Sequence, residues 1–400
     1  MSDLVTSDLI TVAEAVRILD ADAVSPRVEE VSIRDCVGRR LARAVLADRD
    51  FPPFDKSLMD GYALRSADVS AAGVSLNVID QTLAGMSASR ALGAGEAVSI
   101  MTGAPMPAGA DAVVPVEKTR RDGDRVLVET AIKPGQARAL RGSDCAAQTE
   151  VLAAGTVVGP VQLAIAASVG ASTLSVYARP RVNVFSTGDE LVAGDQSPGA
   201  FQIRNSNGPM IGELLRRLGC EVTDLGIVRD DVDALRTAIV QRMNGDALFI
   251  TGGMSMGERD YIPALLRELG LEMKISKLRM KPGKPFVFAR NASARVFGLP
   301  GNPVSAYVCA LRLAGRIISR LAGGVADDLV TSAKLLTDME ANGPREFYVP
   351  AWLDAAGVRP LKWKGSADIF TLSNANALII RSESAPAIVA AEMVGVLKMV

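Results

Sequence analysis

The chain opens with an apolar stripe of helical period, in which Val12, Ala15, Val16 and Leu19 fall on one face. Thr11-Val-Ala-Glu14 reads as a capping box, hydroxyl and carboxylate each satisfying a free backbone donor, so a helix is predicted here. From about Val31 to Ile132 the pattern shortens to strand-like runs such as SLNVID, DAVVPVE and DRVLVET, separated by Gly, Pro and Asp turns. A mostly β region inserted between helical pieces is expected. Val151 to Ala178 then carries no charge and is long enough to span a bilayer. Gly155, Gly159, Pro160, Gln162, Ser168 and Gly170 interrupt it, which favours a helix-and-strand segment of a soluble core.

Beyond residue 180 the pattern becomes a regular alternation. Strand RVNVF, helix NSNGPMIGELLRRLG, strand EVTDLGIV, helix DDVDALRTAIVQRM and strand ALFIT are followed by helix RDYIPALLRELG. Strands near PFVFA and RVFGL and a helix from Val304 to about Leu321 complete the run. Such alternation predicts parallel βαβ units with right-handed crossovers and a three-layer α/β domain, whose ligands sit at strand C-termini. From about Gly324 short β-like runs return (REFYVPAWL, ALIIRS, EMVGVLKMV), predicting a separate small β domain.

Composition narrows the chemistry. The 400 residues contain no histidine, which excludes Ser-His-Asp and Cys-His nucleophile activation and every His-ligated metal site. With 44 basic and 45 acidic residues the net charge is −1, giving no bulk attraction for nucleic acid or anionic lipid, so neither is expected as a partner. Aromatics are 4%, so the cores must be aliphatic. Cys36, Cys145, Cys220 and Cys309 are too dispersed for a CxxC motif or a disulfide framework, and the N-terminus lacks a basic region leading into an apolar core. A reducing cytoplasm is the expected location.

Six loops carry candidate chemistry. In FPPFDKSLMDGYALR, Pro52 and Pro53 stiffen the approach and Gly61 permits a tight turn that presents Asp55, Ser57 and Asp60. Its carboxylates suit Mg²⁺, or else bond their own backbone as turn residues. Thr251-Gly-Gly-Met-Ser-Met-Gly257, followed by Glu258, Arg259 and Asp260, lies at a βα turn where backbone N–H groups converge on an anion, although it lacks the GK[ST] ending of a phosphate loop. Lys277 and Lys281-Pro-Gly-Lys284 place like charges close together, which favours something negative between them. Leu299-Pro300-Gly301-Asn302-Pro303-Val-Ser305 offers free N–H groups, a capping Asn302 and the Ser305 hydroxyl. Thr187-Gly-Asp-Glu190 and Asp230-Asp231 place acids at helix starts, where the ordinary role is capping. The inventory suits binding of phosphates, an oxyanion and a divalent cation.

In order along the chain, FDKSLMDGYA, IMTGAPMPAGADAVVPVE, FSTGDELV, IVRDD, TGGMSMGERDY, KPGKPFVF and GLPGNPVSA resemble the MoeA family, which includes the gephyrin E domain. The resemblance implies a molybdopterin molybdenumtransferase that joins adenylylated molybdopterin and molybdate, releases AMP and is assisted by Mg²⁺. It also implies a homodimer with a shared active cleft, and contacts with other molybdenum cofactor biosynthesis proteins. The implied fold is multidomain α/β plus β. Residues 1–30 and 140–178 form a discontinuous helical linker domain, and 31–139 an inserted mostly β domain carrying the MDGYA loop. Residues 179–323 form a MogA-like α/β domain with a mixed, mostly parallel sheet, and 324–400 a small C-terminal β-barrel.

By the same resemblance, Asp60, Thr102, Asp230 and Asp260 are catalytic, and Asp60, Asp230 and Asp260 hold the metal. Gly252, Gly253, Ser255, Gly257, Lys277, Lys281, Lys284, Pro300, Gly301, Asn302, Ser305, Arg345 and Ser366 bind substrate, while Asp246 is structural. The chain departs from the family where Gly-x-Asn-Val-Arg-x-x-Gly-Glu-Asp becomes Gly135-Gln-Ala-Arg-Ala139-Leu-Arg-Gly142-Ser143-Asp144, with Arg138 or Arg141 as a displaced substitute. Ile-Tyr-Asp-Ser-Asn becomes Ile203-Arg204-Asn205-Ser206-Asn207, and Lys56 replaces an Asn. Each change makes the cleft more basic, so an altered metal use or substrate preference is expected. Two alternatives are a non-catalytic scaffold paralogue, favoured by Ala139 and Ser143, and a nucleotide pyrophosphatase of the competence-damage type, whose glycine turn differs.

Overall fold

The computed structural model describes residues 9–254, 261–326 and 329–399. It divides into two compact units, one formed by residues 32–35 and 43–174, the other by the segments up to 31, 36–42 and from 175 onward.

The larger unit begins with helix Val12–Asp20. Its capping box forms as the sequence predicts: Thr11 N donates to Glu14 Oε2 at 2.8 Å and Glu14 N donates to Thr11 Oγ1 at 3.0 Å. Val12, Ala15 and Leu19 are buried and Val16 packs at the edge of the same core. Arg316 grips Asp20 through two bonds of 2.7 and 2.6 Å, a fork that fixes the helix end to the last helix of the α/β layer.

The central sheet has six strands in the order Glu221–Val228, Arg181–Thr187, Ala247–Thr251, Arg295–Leu299, Val287–Arg290, Glu272–Ile275. The first four run parallel, Val287–Arg290 runs opposite to them, and Glu272–Ile275 pairs antiparallel with it at the edge. Alternation along the strands sorts the two faces. Val182, Val184, Phe249 and Phe297 face helix Asn207–Arg217 and the helical run from Pro303 to Leu321, whereas Phe185, Leu248, Ile250 and Val296 face helices Val232–Arg242 and Ile262–Glu268. Phe249 and Phe288 stack on Phe297 at 4.8 and 5.0 Å, so the few aromatics are concentrated in this layer. The predicted helix from Val304 to Leu321 contains a π-helical stretch at Ala310–Ala314.

The C-terminal β domain is a barrel. Glu346–Asp354 pairs with Ala377–Arg381, which pairs with Met393–Lys398, which pairs with Val330–Lys334. Gly357–Pro360 lies on the other side of Glu346–Asp354, and a bridge from Leu335 to Val358 closes the circle. Leu335, Val349, Val358, Ile379 and Val396 fill it. Met280–Lys281 adds to the barrel wall by pairing with Glu346–Phe347.

The smaller unit contains a six-stranded sheet in the order Ala112–Pro115, Gly61–Leu64, Glu96–Ile100, Val74–Thr82, Arg125–Val128, Thr119–Asp122. The uncharged segment read as core contributes helix Pro160–Ser168 and strand Thr173–Tyr177, but only Ala166 of that helix is buried. Nine residues rise about 14 Å, and no helix among the described residues is long and apolar enough to cross a membrane.

Candidate functional site

The C-terminal ends of the four parallel strands converge on one edge of the α/β layer, and the sequence order 181–187, 221–228, 247–251 places a topological switch there. A cleft of about 1250 Å³ opens at that edge and is walled on its far side by the barrel. It exceeds the range of roughly 300–1,000 Å³ usual for one small ligand.

Each wall is fixed by local chemistry. Gly252 has φ +92°, and a Cβ there would lie 2.2 Å from the Thr187 carbonyl oxygen, so the turn after Ala247–Thr251 requires glycine. Gly252 N donates to Leu299 O at 3.1 Å, joining that turn to the next strand end. Beneath it, Thr251 Oγ1 donates to Ser186 Oγ at 2.8 Å and Ser186 Oγ donates to Asn205 Oδ1 at 3.0 Å, a satisfied polar floor. Thr187 Oγ1 donates to Asp230 Oδ1, which holds the Asp230 carboxylate against the first strand end. Asp231 beside it caps helix Val232–Arg242 by accepting from Ala234 N at 2.9 Å, as expected for an acid at a helix start.

The Lys-Pro-Gly-Lys turn is held at both ends, by the pairing of Met280–Lys281 with the barrel and by a 2.9 Å bond from Leu278 N to Lys284 O. Lys281 Nζ lies 4.3 Å from the centroid of the Phe347 ring, a cation–π contact. Cys309 lies behind the turn, its Sγ 3.6 Å from Gly283 O, and burial pushes its thiol well above the usual range.

Asn302 occupies the N-cap position before Pro303–Cys309 but its side chain does not cap the helix. Its Nδ2 donates instead to Ser366 Oγ at 2.9 Å, while Val304 N donates to Ser366 O at 3.0 Å. The Ser366 carbonyl of the barrel loop therefore satisfies one N–H of the helix start, as a capping side chain would have done. Asn207 Nδ2 donates to Gly301 O at 2.7 Å from the opposite wall.

Of the residues expected to bind substrate, Gly252, Gly253, Lys281, Lys284, Pro300, Gly301, Asn302, Ser305, Arg345 and Ser366 line this cleft, together with Asp230. Ser305 is only 4% exposed and sits at its base. Lys277 does not line it; its backbone carbonyl instead accepts from Ile10 N at 3.4 Å. Ser255, Gly257 and Asp260 lie outside the described residues. Residues not singled out as ligands also line the cleft, namely Glu190, Asn207, Phe347, Trp363, Lys364 and Phe370, as does Arg204. Arg204 was visible as a departure in the motif, whereas Trp363, Lys364 and Phe370 flank Ser366 in a segment with no motif of its own.

Asp60 and Thr102 meet in the smaller unit. Asp60 Oδ1 accepts from Thr102 N at 2.6 Å and from Thr102 Oγ1 at 2.8 Å, and these bonds, the backbone one foremost, hold its carboxyl below the usual range. Gly61 has a reason other than the expected turn: a Cβ there would stand 1.9 Å from Val114 O, so strand Gly61–Leu64 could not pair with Ala112–Pro115. Asp55 accepts from Arg141 N at 2.7 Å and is ion-paired with Arg138, while Arg141 Nε donates to Asp50 Oδ2 at 2.6 Å. Both displaced arginines are thus engaged by carboxylates near their own loop. Asp246 accepts from Arg181 N at 2.7 Å and from Arg27 at 3.1 Å, a structural role.

Among the described residues no group of three or more acidic or thiol side chains gathers to hold a metal. Mg²⁺ needs no such cage, since it commonly takes one or two carboxylates together with substrate phosphates. Asp230 and Glu190 on the cleft wall fit that donor set.

The sheet, its loop-lined cleft and the appended barrel define a multidomain α/β plus β protein whose cleft, among the described residues, is lined by more basic than acidic side chains. The model of the MoeA N-terminal region (domain I and II) matches residues 10–170, that of a probable molybdopterin binding domain residues 183–319, and that of the MoeA C-terminal region (domain IV) residues 332–399. The chain belongs to the MoeA family. It is 38% identical to a molybdopterin molybdenumtransferase of Nostoc over 78% of this chain and 74% of the relative, and 31% identical to one of Staphylococcus aureus over 93% and 91%. A crystal structure of the molybdopterin biosynthesis MoeA protein from Pyrococcus horikosii superimposes with a TM-score of 0.86 at 30% identity, covering 98% of this chain and 99% of that one.

Proposed function

We propose that the protein is a molybdopterin molybdenumtransferase of molybdenum cofactor biosynthesis, which inserts molybdate into adenylylated molybdopterin and releases AMP. The observation that carries this reading is the charge of the cleft: among the described residues, Arg204, Lys281, Lys284, Arg345 and Lys364 line it against Glu190 and Asp230. The same walls carry the amide-rich turns at Gly252 and Gly301. Ammonium groups are point charges suited to a tetrahedral oxyanion, and guanidinium groups to phosphate oxygens. A protein nucleophile is not required, because the dithiolene sulfurs of the pterin displace oxygen from molybdate while the chain positions both partners.

In this reading Lys281 and Lys284 hold molybdate against the Pro300–Asn302 turn, and Arg345, Ser366 and Ser305 complete the oxyanion and phosphate site. Gly252 and Gly253 receive the pterin side of the substrate with Asp230, and Ser255, Gly257 and Asp260 keep the substrate and catalytic roles the sequence suggests for them. Asp60 and Thr102 belong to the proposed catalytic set. Mg²⁺ bound at Asp230 on the cleft wall would neutralise the anhydride as AMP leaves. A homodimer with a shared cleft, a cytoplasmic location, a four-domain division with boundaries near residues 31, 139, 178 and 323, and contacts with other cofactor-assembly proteins belong to the same proposal.

The test supplies purified protein with adenylylated molybdopterin, molybdate and Mg²⁺, and scores AMP and pterin-bound molybdenum. Release of AMP that depends on molybdate is expected. A protein that binds the adenylylated pterin yet leaves it intact under these conditions contradicts the assignment.

A further inference from the structure

One wall of the cleft carries a group that oxyanion chemistry does not use. Phe370 lines the cleft yet is 82% exposed, an apolar ring held in water. It does not sit on a loose loop. Asp368 fixes the single turn of helix Ile369–Leu372, its Oδ1 accepting from Thr371 N at 3.0 Å and its Oδ2 from Lys364 N at 2.9 Å and Thr371 Oγ1 at 2.7 Å. Leu372, two residues on, is buried in the main core. Phe370 also follows Ser366 by four residues, and Ser366 is the residue bonded to Asn302 and Val304 on the same cleft. A solvent-facing aromatic ring on an anchored backbone is therefore stationed beside a cleft lined by more basic than acidic side chains. Aromatic rings in such positions stack on the planar face of nitrogen heterocycles.

We propose that Phe370 is a specificity-determining residue, a stacking platform for a planar heterocycle of the substrate. It would let the cleft distinguish a heterocycle-bearing phosphate ester from a plain one. The inference rests on the transferase reading, whose substrate carries two such rings, adenine and pterin.

Calorimetric titration of the full chain with AMP, ribose 5-phosphate and neopterin tests it, using the parent protein, Phe370→Ala and Phe370→Tyr. Stacking of one base is worth a loss of about tenfold on removal of the ring. Phe370→Ala is expected to weaken AMP or neopterin by about that factor, to leave ribose 5-phosphate unchanged, and to be rescued by Phe370→Tyr. Which of the two ligands loses affinity identifies the ring. Equal affinities in the parent and Phe370→Ala for both, or no heterocycle binding by the parent, overturns the proposal. A parent that binds AMP through Phe370 but never releases AMP from the adenylylated pterin contradicts the transferase reading alone.

Discussion

At the scale of single residues, Asp60 is the clearest case of a side chain whose environment sets its chemistry. Two donors from Thr102 depress its carboxyl, so its folded-state value lies below the unfolded one near 4. A group of this kind adds stability above the unfolded value and loses it as pH falls through the folded one. Thr102→Val removes one donor, so its acid-unfolding midpoint should move to higher pH than that of the parent, read by circular dichroism on acid titration. Lys281→Ala should weaken binding of tungstate, a stand-in for molybdate, by tenfold or more, the usual effect of losing a charged hydrogen bond. Calorimetry checks this. Asp60 and the paired lysines were legible because their motifs carry them in an ordered set. The true reason for Gly61 was not, because the Val114 carbonyl that excludes a side chain comes from a strand about 50 residues away.

At the scale of elements, local signals worked where the determinant was local. Thr11→Ala should cost about 1 kcal/mol, the typical value of a lost N-cap, and lower the melting temperature by a few degrees in calorimetry. Gly252→Ala should be worse for function, because it forces a Cβ at φ +92° against Thr187 O and reshapes the wall that holds Asp230. Its AMP release should fall by at least tenfold, a reasonable loss for misplaced positioning groups. The alternation of strand and helix after residue 180 announced the α/β layers, since each crossover is encoded in consecutive segments. The π stretch at Ala310–Ala314 left no sign in a sequence of helix-forming residues. The uncharged segment before residue 178 misled in another way: lack of charge was read as burial, but most of helix Pro160–Ser168 is solvent-facing.

At the scale of the whole molecule, the two units are interleaved in sequence, so the chain leaves the larger one and returns to it. Barrel closure likewise depends on the pairing of Leu335 with Val358 and could only be expected as a domain type, not read strand by strand. The absence of histidine has a global consequence. No imidazole changes charge between pH 6 and 8, and burial raises the Cys220 thiol to about 12, so thermal stability should be nearly flat across that window in scanning calorimetry.

The central claim is that the cleft beside the Lys-Pro-Gly-Lys turn seats a tetrahedral metalate. A crystal soaked in tungstate measures this directly through anomalous scattering. The peak is expected within hydrogen-bonding reach of Lys281 or Lys284 and the Pro300–Asn302 turn, and to disappear in Lys281→Ala crystals. A peak confined to another surface, with this cleft empty at saturating tungstate, contradicts the account.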